Sequence, residues 1–275
     1  MRGALAGPRP LPADPAALGS RIAGTPLVVL LDVDGTLAPI APRPEDAAVP
    51  AATTSALRAL AARPAVHVGL VSGRGAADAR RLVGVEGLWA VGNHGLETLA
   101  PDGSLRLDER VAPFESALAA VSVRARALTA RVPGALLEDK GATLSIHYRL
   151  AEPREAASLQ TAIEALAAEA GLRVTHGRKV VEVRPPVAVD KGTAVRALAE
   201  RLGAAEDGAS IVFAGDDTTD EDAMRALREW RSRAVTIHVE GEEPRETIAE
   251  WVVSSPEMLA KWLAALAAMP EGGGE

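Results

Sequence analysis

Five aliphatic residues in a row, Leu27-Val28-Val29-Leu30-Leu31, lead straight into Asp32-Val33-Asp34-Gly35-Thr36. A strand with no polar alternation must be buried on both faces. That restricts it to the interior of a sheet covered by helices on each side, which in practice is a parallel sheet. The same logic recurs along the chain. "VHVGLVSGR", "LWAVGNHG", "SIVFAGDD" and "AVTIHV" read as further buried strands, separated by helical patterns such as "PAATTSALRALAARP", residues 76–83 and "KGTAVRALAERLG". Strand–helix alternation of this kind predicts an α/β fold with a Rossmann-like parallel sheet.

The middle of the chain breaks the pattern. Residues 105–185 read as a helix, two strands, a second helix and two more strands, with Gly134, Gly141 and Gly177 as turn residues. This is an inserted α/β domain of antiparallel hairpins, helix–two strands repeated twice. The expected organisation is a flexible tail over 1–24, a core over 25–104 and 186–269, the insert over 105–185, and a flexible end over 270–275. The tail is Pro- and Ala-rich and reads as a flexible segment, not a signal peptide. No apolar run approaches the roughly 20 residues of a membrane helix. Cysteine is absent, which excludes disulfides and thiolate metal sites. A net charge of −7 and 3% aromatic residues argue against a nucleic-acid partner. The chain is expected to act as a cytoplasmic monomer on a small molecule.

Ligands of an open parallel sheet bind beyond the carboxyl ends of its strands. Here those ends carry Asp32, Asp34 and Thr36; then Ser72, Gly73 and Arg74; then the run Asp216 to Asp222; and Lys191 opens a helix nearby. Two unit charges 4 Å apart repel by about 4 kcal/mol at an effective dielectric of 20, so this many acids need compensation. Lys191 offsets part. A hard divalent cation offsets more, and oxygen-only ligation with few carboxylates suits Mg²⁺, with Asp32 and Asp216 as ligands. With a metal, Lys191, Ser72, Thr36 and the turn amides near Gly35 suit a phosphate. Asp32 can attack phosphorus, and Asp34, two residues on, can act as acid and base. Plainer roles stand beside these. Asp220, Glu221 and Asp222 suit a helix N-terminus for its dipole. Arg74 can pair with a neighbouring carboxylate, and Asn93 and His94 suit a turn. His67, His176, His238 and the four tryptophans read as strand, surface or packing positions.

In order, "DVDGT", "SGR", the lysine of "DKG" and "GDD" resemble the four motifs of the haloacid-dehalogenase-like phosphatases. "DVDGTLAPI", "VSGR", "NHG", "DKG" and "GDDTTDED", with "EDKGATLSIHYR" and "GRKVVEVRP" in the insert, resemble the trehalose-6-phosphate phosphatases more closely, from about Pro26 to Trp262. The resemblance implies hydrolysis of trehalose 6-phosphate, with Asp32 as nucleophile and Asp34 as acid/base. It implies Mg²⁺ held by Asp32, the backbone carbonyl of Asp34 and Asp216, supported by Asp217 or Asp220. Ser72 and Lys191 would bind the phosphoryl group, with Thr36 and Gly73 beside them. The insert becomes a mobile cap that recognises the sugar, and Asn93 gains a role through "NHG". Strand alternation puts Glu138 with Lys140, His147 with Ser145 and Arg149, and Glu182 with Arg184 on common faces, with Lys179 opposed unless the turn rotates it. Arg74, Asn93, Glu138, Lys140, His147, Arg149, Lys179 and Glu182 are the expected substrate contacts. A phosphatase of another sugar phosphate, sucrose- or glucosylglycerol-type, is the competing enzyme. A phosphomannomutase-like transfer does not match the insert motifs, and a phospho-receiver module explains neither Asp34 nor the insert.

Overall fold

The computed structural model describes residues 7–177, 179–241 and 245–270. The chain divides into two units, 1–105 with 189–275, and 106–188, against the expected insert of 105–185. Each is described by itself.

In chain order the strands and helices are β1 (Arg9–Pro10), β2 (Leu27–Leu31), α1 (Ala51–Ala61), β3 (Val66–Val71), α2 (Ala76–Val83), β4 (Trp89–Gly92), β5 (Glu97–Leu99), β6 (Leu105–Leu107), α3 (Glu115–Thr129), β7 (Leu136–Asp139), β8 (Leu144–His147), α4 (Pro153–Glu169), β9 (Arg173–Gly177), β10 (Val180–Arg184), α5 (Lys191–Arg201), β11 (Ser210–Gly215), α6 (Thr218–Trp230), β12 (Val235–Val239), β13 (Trp251–Val253) and α7 (Pro256–Ala268).

The larger unit is built on a nine-stranded sheet in the order β1-β13-β12-β11-β2-β3-β4-β5-β6. β2 lies inside it, parallel to β11 on one side and β3 on the other. Its five residues are all buried, and they alternate between two cores. Leu27, Val29 and Leu31 pack with Leu57 and Leu60 of α1, Ala79 and Val83 of α2, and Leu259 and Leu263 of α7. Val28 and Leu30 pack with Val195 and Leu198 of α5 and Met224 and Leu227 of α6. This two-sided burial is why the segment carries no polar position. The wholly parallel sheet expected from the sequence needs correction at one edge. β5 runs antiparallel to β4, with Gly92 opposite Glu97. β5 and β13 are three residues each, too short for a periodic signal.

The N-terminal tail also departs from expectation. Residues 1–6 and 271–275 lie outside the described residues, but the stretch from Arg9 onward is tied to the sheet. β1 pairs in parallel with β13, and Leu18 and Ile22 enter the core. The Arg21 guanidinium donates to both Glu250 carboxylate oxygens at 2.8 and 2.5 Å and to the Ala234 carbonyl at 2.9 Å. Arg9 also pairs with Glu250 and stacks 4.2 Å from the Trp251 ring centroid. These contacts lie more than 200 residues apart in sequence, so no local pattern announces them. Arg21→Ala is expected to lower stability by about 1–3 kcal/mol, the range for charged hydrogen bonds, measured by urea unfolding. The hydrogen bond from Arg21, against a smaller burial effect, holds the Glu250 carboxyl below its usual range. That contribution is complete above the unfolded glutamate pKa and is lost as pH falls through the depressed folded value. The cost of Arg21→Ala therefore shrinks in acid.

The smaller unit is a four-stranded antiparallel sheet in the order β7-β8-β10-β9. Leu144, Ile146, Val181 and Val183 face α3 and α4, meeting Leu118, Val121, Ala125, Leu159, Ile163 and Leu166. The other face carries the polar alternation. Glu138, Ser145, Glu182 and Thr175 stand opposite one another across all four strands. No helix among the described residues is long and apolar enough to cross a membrane.

Candidate active site

The carboxyl ends of β2 and β11 are neighbours, so Asp32 and Asp216 arrive together. Beyond β2 the chain turns back on itself: Gly35 N–H donates to the Ala38 carbonyl at 2.7 Å, and the Leu37 and Ala38 amides both reach the Val33 carbonyl at 2.9 Å. Gly35 has φ 88°, and a Cβ there would stand 2.1 Å from an Asp216 carboxylate oxygen. Both constraints demand glycine. Thr36, fully buried, donates from Oγ1 to Asp216 Oδ1 at 3.4 Å.

After β11, Asp217 caps α6, accepting through Oδ1 from the Thr219 and Asp220 amides at 2.8 and 3.0 Å. Asp220 Oδ2 accepts from the Asp216 and Asp217 amides, both at 3.0 Å. A capping box of Asp190 and Thr193 starts α5 and sets Lys191 at its first position. Lys191 is 2% exposed, and its Nζ lies 2.6 Å from Asp32 Oδ1 and 2.6 Å from Asp220 Oδ1. Glu221 instead accepts from the Ile248 amide, and Asp222 pairs with Arg225 at 2.8 Å.

This cluster is short of positive charge. Burial, with Asp216 and Asp217 adding repulsion and Lys191 opposing, pushes Asp32 up to about 7. Burial and the charges of Asp220 and Asp217 push Asp216 up to about 7 as well. Burial also raises Asp220 strongly. Burial acts in the same direction on Asp217, but Lys191 and the capping hydrogen bonds outweigh it and hold that carboxyl low. Lys191 stays charged: burial favours the neutral amine, and Asp220 and Asp32 overcome it. Among the described residues Lys191 pairs with Asp32 and Asp220, while Asp216 and Asp217 add two more carboxylates beside them. Oxygens of Asp32, Asp216 and Asp220 lie within 4.8 Å of one another, an all-oxygen donor set that fits a hard divalent cation. Both Asp220 oxygens are already engaged, so Asp32 and Asp216 are the better ligands and Asp220 orients Lys191. Asp217 is committed to the helix cap.

Asp34 is held apart from this cluster. The Arg74 guanidinium grips its carboxylate with two hydrogen bonds, Nε at 2.6 Å and Nη2 at 2.8 Å. Arg74 also donates to Asp78 at 2.9 Å and to the Pro44 carbonyl at 3.0 Å. Of the two expected roles of Arg74, the pairing with a neighbouring carboxylate is the one seen: its donors serve Asp34, Asp78 and Pro44. Any metal contact from Asp34 falls to its backbone carbonyl. Ser72 is buried at the end of β3, and its Oγ accepts from the Arg74 amide at 3.1 Å, leaving the hydroxyl proton for another acceptor. Gly73 follows it in the same turn. Asn93 is fully buried, and its backbone N–H donates to the Arg74 carbonyl at 2.8 Å.

In the smaller unit, four of the six expected contacts come together. His147 Nε2 is 3.0 Å from Glu138 Oε2. Lys140 Nζ lies 3.9 Å from both Glu138 and Glu182. Lys179 and Arg149 are the remaining two. Both are exposed, and Lys179 sits in the β9–β10 turn with φ 65°. Two residues missing from the expected contacts also join. Arg184 is 3.9 Å from Glu182 Oε2, and Thr143 Oγ1 donates to Glu182 Oε1 at 3.4 Å. The i, i+2 spacing of Glu182 and Arg184 was the available signal for Arg184.

Comparison with known proteins matches residues 30–257 to the family model described as Trehalose-phosphatase. A Mycobacterium tuberculosis (strain CDC 1551) protein described as an uncharacterized glycosyl hydrolase is 40% identical over 242 residues, 87% of this chain and 18% of its own length. The trehalose-phosphate phosphatase of Mycolicibacterium paratuberculosis is 38% identical over 255 residues, 92% of this chain and 65% of that protein. The chain thus spans only part of the length of these relatives. Among solved structures, that of a trehalose-6-phosphate phosphatase related protein superposes with a TM-score of 0.75 at 26% identity, covering 87% of this chain and 96% of the other. The family match takes in Asp32, Lys191 and Asp220 as well as the polar face of the insert, and on it the chain belongs to the trehalose-phosphatase family.

Proposed function

We propose that this protein hydrolyses trehalose 6-phosphate to trehalose and phosphate through an aspartyl-phosphate on Asp32. The observation that carries the reading is the set of buried Asp32, Lys191 and Asp220 with half-buried Asp216 beyond the ends of β2 and β11, combined with family membership. Asp32 Oδ attacks phosphorus, and the bond from phosphorus to the sugar oxygen breaks. Asp34 delivers a proton to the departing alkoxide. It then takes a proton from water, which attacks the aspartyl-phosphate and frees Asp32 and phosphate. Arg74 orients Asp34 and must yield its carboxylate for the proton to be carried. Lys191 and Ser72 hold phosphoryl oxygens. Asp32 and Asp216 would hold Mg²⁺, which when bound would supply the positive charge that favours the ionised form of Asp32.

The sugar is assigned to the face of the smaller unit that carries Glu138, Lys140, His147 and Glu182. Carboxylates and ammonium groups together suit hydroxyls, which both donate and accept. Phosphate release from a panel of sugar phosphates tests the reading. Trehalose 6-phosphate should be the best substrate, and equal rates on glucose 6-phosphate would transfer the assignment to a general sugar phosphatase. Glu182→Ala is expected to cost about 1–3 kcal/mol in kcat/KM on trehalose 6-phosphate. It should leave p-nitrophenyl phosphate, which has no sugar hydroxyls, nearly unchanged. Equal losses on both substrates would place Glu182 in the support of the fold. Chelation by EDTA should remove activity and Mg²⁺ should restore it, while Ca²⁺, with its looser shell, should not. Activity indifferent to the chelator would contradict the metal assignment.

A further inference from the structure

The turn that follows β3 has no side chain at its centre, because its middle residue is Gly73. The end of β4 and the segment that follows it grip that turn. Ser72 N–H donates to the Val91 carbonyl at 2.9 Å, His94 N–H to the Ser72 carbonyl at 3.1 Å, and Asn93 N–H to the Arg74 carbonyl at 2.8 Å. Two residues on from the turn, the Ala76 amide donates to the buried Glu97 carboxylate. To make these contacts Asn93 and His94 both take left-handed conformations, φ 51° and 54°, and Gly95 follows at φ 107°. Non-glycine residues persist in that region only where their surroundings over-determine it, and such positions concentrate at functional sites. Gly95 in turn lies against Val189 and Ala194, where a Cβ would approach to 2.6 and 2.8 Å. The hook is thereby wedged against the start of α5, which carries Lys191.

The space beside Gly73 is not empty. A Cβ built there would meet the His94 ring at 2.7 Å. We infer that His94 is a positioning residue for phosphate binding: its ring stands where a side chain at Gly73 would stand and fixes the Ser72–Gly73–Arg74 turn in one conformation. A glycine-centred turn is conformationally free. Backbone bonds fix its two ends, and the ring fixes its middle. Ser72 Oγ is then held for a phosphate without reorganising on binding.

The inference rests on the reading that this turn binds phosphate. The probe is inorganic phosphate, titrated calorimetrically into the full chain with Mg²⁺ present, with thermal midpoints recorded beside it. His94→Ala should weaken phosphate binding at least about fivefold, and His94→Phe, which refills the space, should stay within about twofold of wild type. Gly73→Ala should weaken it at least about tenfold, and adding His94→Ala to it should recover about threefold or more, because the clash is removed. If Gly73→Ala does not fold, the comparison of His94→Ala with His94→Phe decides alone. Phosphate affinity unchanged in His94→Ala, a His94→Phe as weak as His94→Ala, or a double variant equal to the product of its parents would each overturn the inference. A wild type that binds phosphate yet releases none from trehalose 6-phosphate defeats the substrate assignment and leaves this test intact.

Discussion

Asp32→Asn is expected to lower phosphate release by at least about a thousandfold, on trehalose 6-phosphate and p-nitrophenyl phosphate alike, because an amide cannot form the acyl-phosphate. The folded state should survive. The amide keeps the shape of the carboxylate, and Lys191 retains Asp220 at 2.6 Å. Removing one of several crowded carboxylates also relieves repulsion from Asp216 and Asp217. The check is a steady-state phosphate assay beside a thermal melt. Residual turnover above about one part in a hundred would exclude Asp32 as the nucleophile.

Lys191→Met should be the more damaging substitution, since it removes both chemistry and charge balance. Methionine fills a similar volume, so the expected loss is electrostatic rather than steric. Lys191 is shared by Asp32 and Asp220, at 2.6 Å from each. Breaking a buried pair by deleting one partner costs about 3–5 kcal/mol. The carboxylates can lessen that by binding protons, so the stability loss should be smaller at pH 5 than at pH 8, measured by urea unfolding without metal. The sign follows from the change itself. Without the ammonium, the acids sit further above their ordinary range in the folded state, so protonation favours folding as pH falls. Added Mg²⁺ should restore part of the stability and none of the activity. A stable, active Lys191→Met would remove the lysine from the mechanism.

Much of this site was legible before any coordinates, and the reason is local. Asp32, Asp34 and Thr36 lie within five residues after a strand whose apolarity left one placement, and α2 runs from Ala76 to Val83 as its pattern predicts. The parts that were not legible depend on distant neighbours. Whether Arg74 points at substrate or at Asp34 is decided by the loop that brings up Pro44, 30 residues away. Asp220 looked equally suited to a helix cap and to a site role, and it does both jobs with different oxygens. β1 has no pattern at two residues, and its ion-pair partner Glu250 lies at the far end of the chain. Lys179 was uncertain because its turn geometry decides its direction, and that turn is left-handed.

The insertion also sets a timetable for synthesis. β2 needs β3 on one edge and β11 on the other, yet β11 begins at Ser210, after the whole insert has been made. Lys191 follows Asp32 by 159 residues. At about 5–20 residues per second, a ribosome takes roughly 8–32 s to cover that distance. Throughout that interval the most apolar strand of the chain has one edge unpaired, and the carboxylate at its tip has no ammonium beside it. The hairpins of the insert pair strands close in sequence and can close early. A nascent chain of this protein therefore carries a finished insert while the sheet of the larger unit still has an open edge, and chaperone dependence should concentrate between the emergence of β2 and that of β11.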